Sequence, residues 1–266
     1  METFRPTSLD EALGLVAEHP DATVLAGGTD LMVEANYGGL HPSSVIGLRR
    51  VDELAEWSGR SIGAGVTYDR METGPVPALA EAARTVGSPQ IRNAGTIGGN
   101  LGTASPAGDT LPVLAALDAE VELASTSGRR LVRWDDFITG PKRTSLAPDE
   151  LIVGALLPDH IPTRQGFAKI GIRNAMVISV ASCALFRAED GTTTLALGSV
   201  GPTPVRPRLA EAMISAETAP SDGALDEFQR LVSEEVSPIT DHRSTEAYRR
   251  HASGVLARRL LERVLA

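Results

Sequence analysis

The segment Ala94–Thr110, AGTIGGNLGTASPAGDT, restricts the possible folds more than any other part of the chain. It holds five glycines and several small hydroxyl residues, with no Lys or Arg. It joins a helix-like run, Pro77–Val86, to an apolar run, Leu111–Leu117. Glycine-rich joints usually make turns, but this one is too long for one turn and too rich in hydroxyls for a plain linker. A second glycine device, LAGGTD (Leu25–Asp30), follows a short strand-like run. Consecutive backbone N–H groups in such turns can converge on an anion without any lysine. Glycine suits the task because a Cβ would hold a phosphate away, and because tight turns often need positive φ. A pyrophosphate offers oxygens on two phosphorus atoms, so two loops can grip it, with Thr29, Thr96 and Asn100 adding side-chain hydrogen bonds. Either Gly-Gly pair alone is more often a plain turn. The two together, each flanked by Thr and by Asn or Asp, point to a dinucleotide. The Rossmann device is absent: GAGVTY, from Gly63, lacks the third glycine and opens no helix. No GxxxxGK[ST] phosphate loop exists either.

Composition narrows the rest. The 266 residues suffice for one large domain or two modest ones, and 42% apolar against 22% charged residues argues for a packed core. A formal net charge of -9 would repel a nucleic-acid backbone. The run AMVISVASCALF, 12 residues, is too short to span a bilayer. The start, METFRPTSLDEAL, has no basic head followed by a long apolar stretch, so no signal peptide is expected. The single cysteine, Cys183, excludes an internal disulfide and a cysteine-ligated iron–sulfur cluster within this chain; its apolar neighbours predict a buried strand residue. The five histidines form no close ligand pair, so no zinc site is expected. A cytoplasmic location follows as the expectation.

Along the chain, Ser8 with Glu11 is a capping-box pattern, and Leu9, Ala12, Leu13 and Val16 continue at helical spacing. Ala22–Ala26, SSVIGL, SIGAGVTY, AEVELAS, RRLVRW and ELIVGALLP read as strands, with AEVELAS and RRLVRW paired across TSG. VPALAEAARTVG reads as a helix ended by Gly87, and Asp109 opens a further helix, DTLPVLAALD. The second part reads as three strands, GFAKIGIR, VISVASCALFRA and TTTLALGSV, with a hairpin at AEDGT. Helices over 207–215, 225–236 and 244–265 follow. Strands followed by helices predict a separate small α+β layer, with a domain boundary near Pro158–Thr163. The last helix carries six Arg against two Glu between Arg243 and Ala266; it reads either as a solvated face or as a docking edge for another subunit.

The segments LAGGTDLM, GSPQIRNAGTIGGNLGTASPAGDTLPVLAALDAEVEL and DELIVGALLP resemble the FAD-binding subunit of molybdenum hydroxylases, the family of xanthine dehydrogenase and aerobic carbon monoxide dehydrogenase. The resemblance covers nearly the whole chain, in the family's motif order. It implies an α+β protein: a two-subdomain FAD-binding fold of the vanillyl-alcohol-oxidase (PCMH) type over residues 1–160, and a C-terminal domain over 161–266 with a three-stranded antiparallel sheet and a helical bundle. It implies non-covalent FAD. Thr23, Val24, Leu25, Ala26, Gly27, Gly28, Thr29 and Asp30 match the segment that lines the pyrophosphate and nearby cofactor atoms. Thr96, Ile97, Gly98, Gly99 and Asn100 match the facing loop. Asp109 matches a cofactor-contacting acid, Leu151 and Ile152 match apolar residues near the flavin ring, and Lys169 matches a cofactor-contacting lysine.

Chemistry supports these matches unequally. Asp109 serves equally as a hydroxyl acceptor or a helix N-cap, and Leu151 and Ile152 would be core residues in any fold. Lys169, in an apolar strand, either snorkels to solvent or points at a ligand. Near a flavin its charge would favour the reduced anionic ring. Relatives often carry an acid after RxAM, where this chain has Val177. The implied role is electron transfer. A molybdopterin-binding large subunit hydroxylates a substrate, a small subunit with two [2Fe–2S] clusters relays electrons, and this chain releases them to NAD⁺, oxygen or another acceptor. The implied assembly is a dimer of heterotrimers. Rival readings are a free-standing flavin oxidase and a flavin-free scaffold.

Overall fold

A computed structural model describes every residue, Met1–Ala266. The chain forms two compact units that interleave in sequence. One comprises Met1–Met71, Pro89–Ala104 and Ala119–Leu157; the other comprises Glu72–Ser88, Ser105–Asp118 and Pro158–Ala266. Strands and helices are numbered along the chain.

The first unit holds two sheets. A small parallel sheet has the order β1 (Glu2–Phe4), β3 (Ser44–Gly47), β2 (Thr23–Leu25). Helix α1 (Leu9–Glu18) supplies the crossover a parallel pair requires. Ser8 accepts from the Glu11 amide at 3.2 Å, and Leu9, Ala12, Leu13 and Val16 are buried, as the capping box and spacing predict. The second sheet has five strands in the order β4 (Trp57–Ser58), β5 (Ser61–Gly63), β10 (Leu151–Leu156), β6 (Glu120–Ser125), β7 (Gly128–Arg133). The expected hairpin across TSG forms, pairing Ser125 with Gly128. Edge strand β7 carries Arg129, Arg130 and Arg133, charges that discourage pairing with another chain. Short helices α2 (Leu31–Asn36), α3 (Tyr68–Met71), α5 (Pro89–Ala94), α6 (Ile97–Thr103) and α8 (Trp134–Phe137), and the hairpin β8 (Ile138–Gly140) to β9 (Arg143–Thr144), complete the unit.

The second unit is built on an antiparallel sheet, β11 (Arg164–Ile170), β12 (Ala181–Arg187), β13 (Thr193–Gly198), the three strands read from the sequence. Helices α4 (Pro77–Arg84), α7 (Leu111–Ala116), α9 (Arg208–Ser215), α10 (Asp222–Glu235) and α11 (Glu246–Leu265) complete it. Its core packs Leu185, Leu195 and Leu197 of the sheet against Phe228, Val232, Leu260 and Leu261 of the helices. Cys183 is fully buried, and burial pushes its thiol far up. The arginines of the last helix are mostly spent locally. Arg250 pairs with Glu246, Arg258 with Glu262 and Asp226, and Arg263 with Glu81. Arg249 is buried on the carbonyls of Val180 and Ser199 and the Asp241 carboxylate. No helix is long and apolar enough to cross a membrane.

Candidate functional site

Strand β2 ends at Leu25 and the chain turns through Ala26–Asp30 before α2. Gly28 takes φ +74°, the left-handed conformation glycine adopts at little cost. Gly27 serves a different purpose. A Cβ there would lie 1.8 Å from the Ala94 carbonyl oxygen, so only glycine lets this turn touch the backbone entering the second glycine segment. The structure thus brings the two glycine segments together. The amide N–H groups of Gly27, Gly28 and Thr29 make no hydrogen bond to the protein, although all three residues are half-buried. Three adjacent donors left unspent in a half-buried turn are what an anion requires.

The second segment is a helix rather than a turn. Thr96 is the N-cap of α6 and accepts from the Gly99 amide at 3.0 Å. The Ile97 amide donates to Val66, the Gly98 amide to Ala64 and the Asn100 amide to Thr96. Every amide from Ile97 to Asn100 is therefore committed to the protein. Gly98 is explained by packing, because its Cβ would meet the Ala64 Cβ at 2.6 Å. Gly99 is not: its Cβ would meet only the Thr96 hydroxyl, at 3.2 Å. Glycine early in a helix has a cost and here no internal cause. Gly99 presents bare backbone outward.

Asp30 closes the first turn and accepts from the Thr103 hydroxyl of α6 at 3.1 Å. Thr23 and Leu25 are half-buried on β2, and Val24 is exposed. Leu151 and Ile152, on β10, are buried; the Ile152 side chain approaches α6, where a Cβ at Gly102 would meet its Cδ1 at 3.4 Å.

Asp109 and Lys169 lie in the second unit and face each other. Their side chains are 7% and 6% exposed, and Lys169 Nζ stands 2.5 Å from Asp109 Oδ2. Lys169 also donates to the Thr85 carbonyl at 3.1 Å, and the Ser179 hydroxyl donates to Asp109 Oδ1. Burial pushes the Asp109 carboxyl up, outweighing the Lys169 charge and the hydrogen bonds from Lys169, Ser179 and Thr85. Lys169 neither snorkels nor stands as a lone charge, and the N-cap of α7 is Thr110, not Asp109. Sequence reasoning did not see Ser179 or Thr85 in this network; they carry no local signal.

Residues 1–160 match the family described as the FAD binding domain in molybdopterin dehydrogenase, and residues 168–264 match the CO dehydrogenase flavoprotein C-terminal domain. The chain belongs to the FAD-binding subunits of the molybdenum hydroxylases. It is 30% identical to a putative xanthine dehydrogenase FAD-binding subunit from Escherichia coli, over 98% of this chain and 95% of that protein. It is 37% identical to the nicotinate dehydrogenase FAD-subunit of Eubacterium barkeri, over 80% of this chain and 79% of the relative. Among solved structures, it superposes on a chain of carbon monoxide dehydrogenase from Hydrogenophaga pseudoflava with TM-score 0.90 and 29% identity, covering 100% of this chain and 97% of that one. This FAD-binding subunit is an oxidoreductase component, and its first glycine turn suits the family's cofactor. The unspent amides of Gly27, Gly28 and Thr29 could donate to a pyrophosphate, and Gly99 leaves room where a Cβ would otherwise project.

Proposed function

We propose that this chain is the electron-transfer subunit of a molybdenum-containing hydroxylase, taking electrons from [2Fe–2S] clusters on a small subunit and delivering them to NAD⁺, oxygen or another acceptor. Bound FAD supplies the two-electron and one-electron redox chemistry this role needs. The observation that carries the reading is the first glycine turn, whose three unspent, half-buried amides have a use once an anion is present. Thr23–Asp30 hold the pyrophosphate and adjoining atoms. Thr96–Asn100 work differently: with their amides already committed, they offer the open Gly99 surface and the Thr96 cap that fixes it. Leu151 and Ile152 supply apolar contact. Asp109 and Lys169 act as one buried pair, so the pair's net charge, rather than a lone ammonium, is what the cofactor would experience.

Residues 1–160 form the FAD-binding domain in this reading and 161–266 the C-terminal domain. Attachment is non-covalent, because the GGTD turn has neither His nor Cys and Cys183 is buried. The relatives' names, medium chain and FAD-subunit, support further subunits as partners; in this reading they are a molybdopterin-binding large subunit and an iron–sulfur small subunit, in a dimer of heterotrimers in the cytoplasm. The test is to titrate the flavin-stripped full chain with FAD and with FMN, which lacks the pyrophosphate. FAD should bind at least about a hundredfold more tightly, since charge-assisted bonds to the turn would be lost with FMN. Equal affinities would refute the pyrophosphate assignment. A chain that purifies without subunits containing molybdenum and iron would point instead to a free-standing oxidase.

A further inference from the structure

One of the chain's two lysines, Lys142, sits in the turn between β8 and β9 at φ +54°. Non-glycine residues rarely adopt this conformation, and Asn or Gly would hold it at lower cost. Its amide donates to the carbonyl of Ala104, itself at φ +45°, at 3.0 Å. The backbone there favours glycine, so the side chain must account for lysine. That side chain reaches α2, where Nζ lies 2.6 Å from Glu34 Oε1. The Glu34 hydrogen bond and the nearby charge of Asp30 both hold the Lys142 ammonium above its ordinary range. Glu34 and Asp30 bracket the first turn of α2, immediately after the unspent amides of Gly27, Gly28 and Thr29. Two carboxylates beside a pyrophosphate site are an electrostatic obstacle, on a chain already at -9.

We propose that Lys142 is the charge-compensating residue of the phosphate-binding turn, pairing with Glu34 and so offsetting one of the two negative charges of Asp30 and Glu34, so that the cofactor's pyrophosphate can dock on Gly27–Thr29. This rests on the FAD-binding reading of that turn. The Lys142 and Glu34 side chains are 56% and 46% exposed, and an ion pair so open to water contributes little to folding. Its consequence is therefore expected in binding rather than in stability.

The experiment titrates the flavin-stripped full chain with FAD, following flavin fluorescence, beside thermal melts of the same samples. Lys142→Gln should weaken FAD binding about tenfold, the effect of about one uncompensated charge near a partly exposed site. Lys142→Gly relieves the left-handed backbone, so the apo-protein should melt no lower than wild type while FAD binding still weakens. Glu34→Gln added to Lys142→Gln should restore affinity to within about threefold of wild type, because the acid being neutralised is gone. A Lys142→Gln chain that binds FAD like wild type overturns the proposal. So does a double variant that stays weak, since Lys142 would then act on the phosphate directly. If wild type takes FMN as well as FAD, the underlying reading fails and this inference with it. If wild type prefers FAD and the Lys142 variants match it, only the role of Lys142 fails.

Discussion

Replacing Gly99 with alanine should separate a glycine required by the fold from one required by a ligand. Gly99 is the third residue of α6, and an added Cβ meets only the Thr96 hydroxyl, at 3.2 Å. A capping Thr with a full side chain three residues on is a common helix start, so this contact is readily accommodated. Alanine is also the better helix former, by roughly 0.5–1 kcal/mol relative to glycine. The apo-protein should therefore be unchanged in stability or gain up to about 1 kcal/mol. FAD binding should move the other way. A methyl group on a surface that the cofactor contacts forces separation costing about 1–3 kcal/mol, or roughly tenfold to a hundredfold in affinity. Gly99→Val should lose more.

Gly27→Ala is the contrasting control. Its Cβ would lie 1.8 Å from the Ala94 oxygen, and neither atom can rotate away. The turn must lift off the second segment, so folding itself should weaken by about 1–3 kcal/mol, and FAD binding with it. The assay is urea unfolding of each flavin-stripped variant beside an FAD titration. A folded Gly99→Ala chain with wild-type FAD affinity would remove the second glycine segment from the cofactor surface. Unaltered stability in Gly27→Ala would refute the contact between the two segments.

Lys169→Met leaves the Asp109 carboxyl buried without its cation, which should cost about 3–5 kcal/mol, much of it recovered in Lys169→Met/Asp109→Asn. The Asp109 carboxyl is already raised by burial and rises further in the single variant. A raised folded-state value means that stability is fully present below about pH 3.9 and is lost as pH rises through the folded value. Urea unfolding should therefore show the Lys169→Met deficit growing as pH rises above about 3.9; a deficit independent of pH would refute this. Asp241 has the opposite sign. Burial alone would raise it, but the amides of Arg243 and Ser244 and the Arg249 guanidinium together hold it far below the carboxylate range. Its contribution is present above about pH 3.9 and fades as pH falls toward its depressed value, so Asp241→Asn should be less stable near neutrality and less sensitive to acid. Equal acid midpoints for Asp241→Asn and wild type would count against it.

Strands β6, β7, β10 and β11 to β13 were legible because alternation and turn residues are local signals. The glycine segment was legible as a place where backbone meets something, but not as a helix. Three glycines in IGGNLGT argue against helix by propensity. The Thr96 cap and the packing of Gly98 on Ala64, a residue far away in sequence, override them. Helix α2 escaped notice because it is six residues long and buries none of them, so no apolar face marks it. Helices α4 and α7 were visible as helices, yet their membership of the second unit was not. An apolar stripe records that a face is buried without recording which sheet covers it.

The partnership of Asp109 with Lys169 shows where local reading ends. Each residue is odd by itself: a lysine in an apolar strand, and an acid ahead of a helix whose cap turns out to be Thr110. Each oddity admits two explanations while the residues are taken separately. Only the fold closes the 60-residue separation and turns two unexplained charges into one buried pair. The glycines follow the same logic in reverse. Gly27 and Gly98 are explained once their neighbours are known, because backbone or a Cβ occupies the space. Gly99 remains without an internal reason, as do the amides of Gly27, Gly28 and Thr29. The proposed FAD site gives these features a use. On that proposal the first turn takes an acceptor and the second segment a close neighbour, an asymmetry that two similar Gly-Gly pairs do not reveal in the sequence.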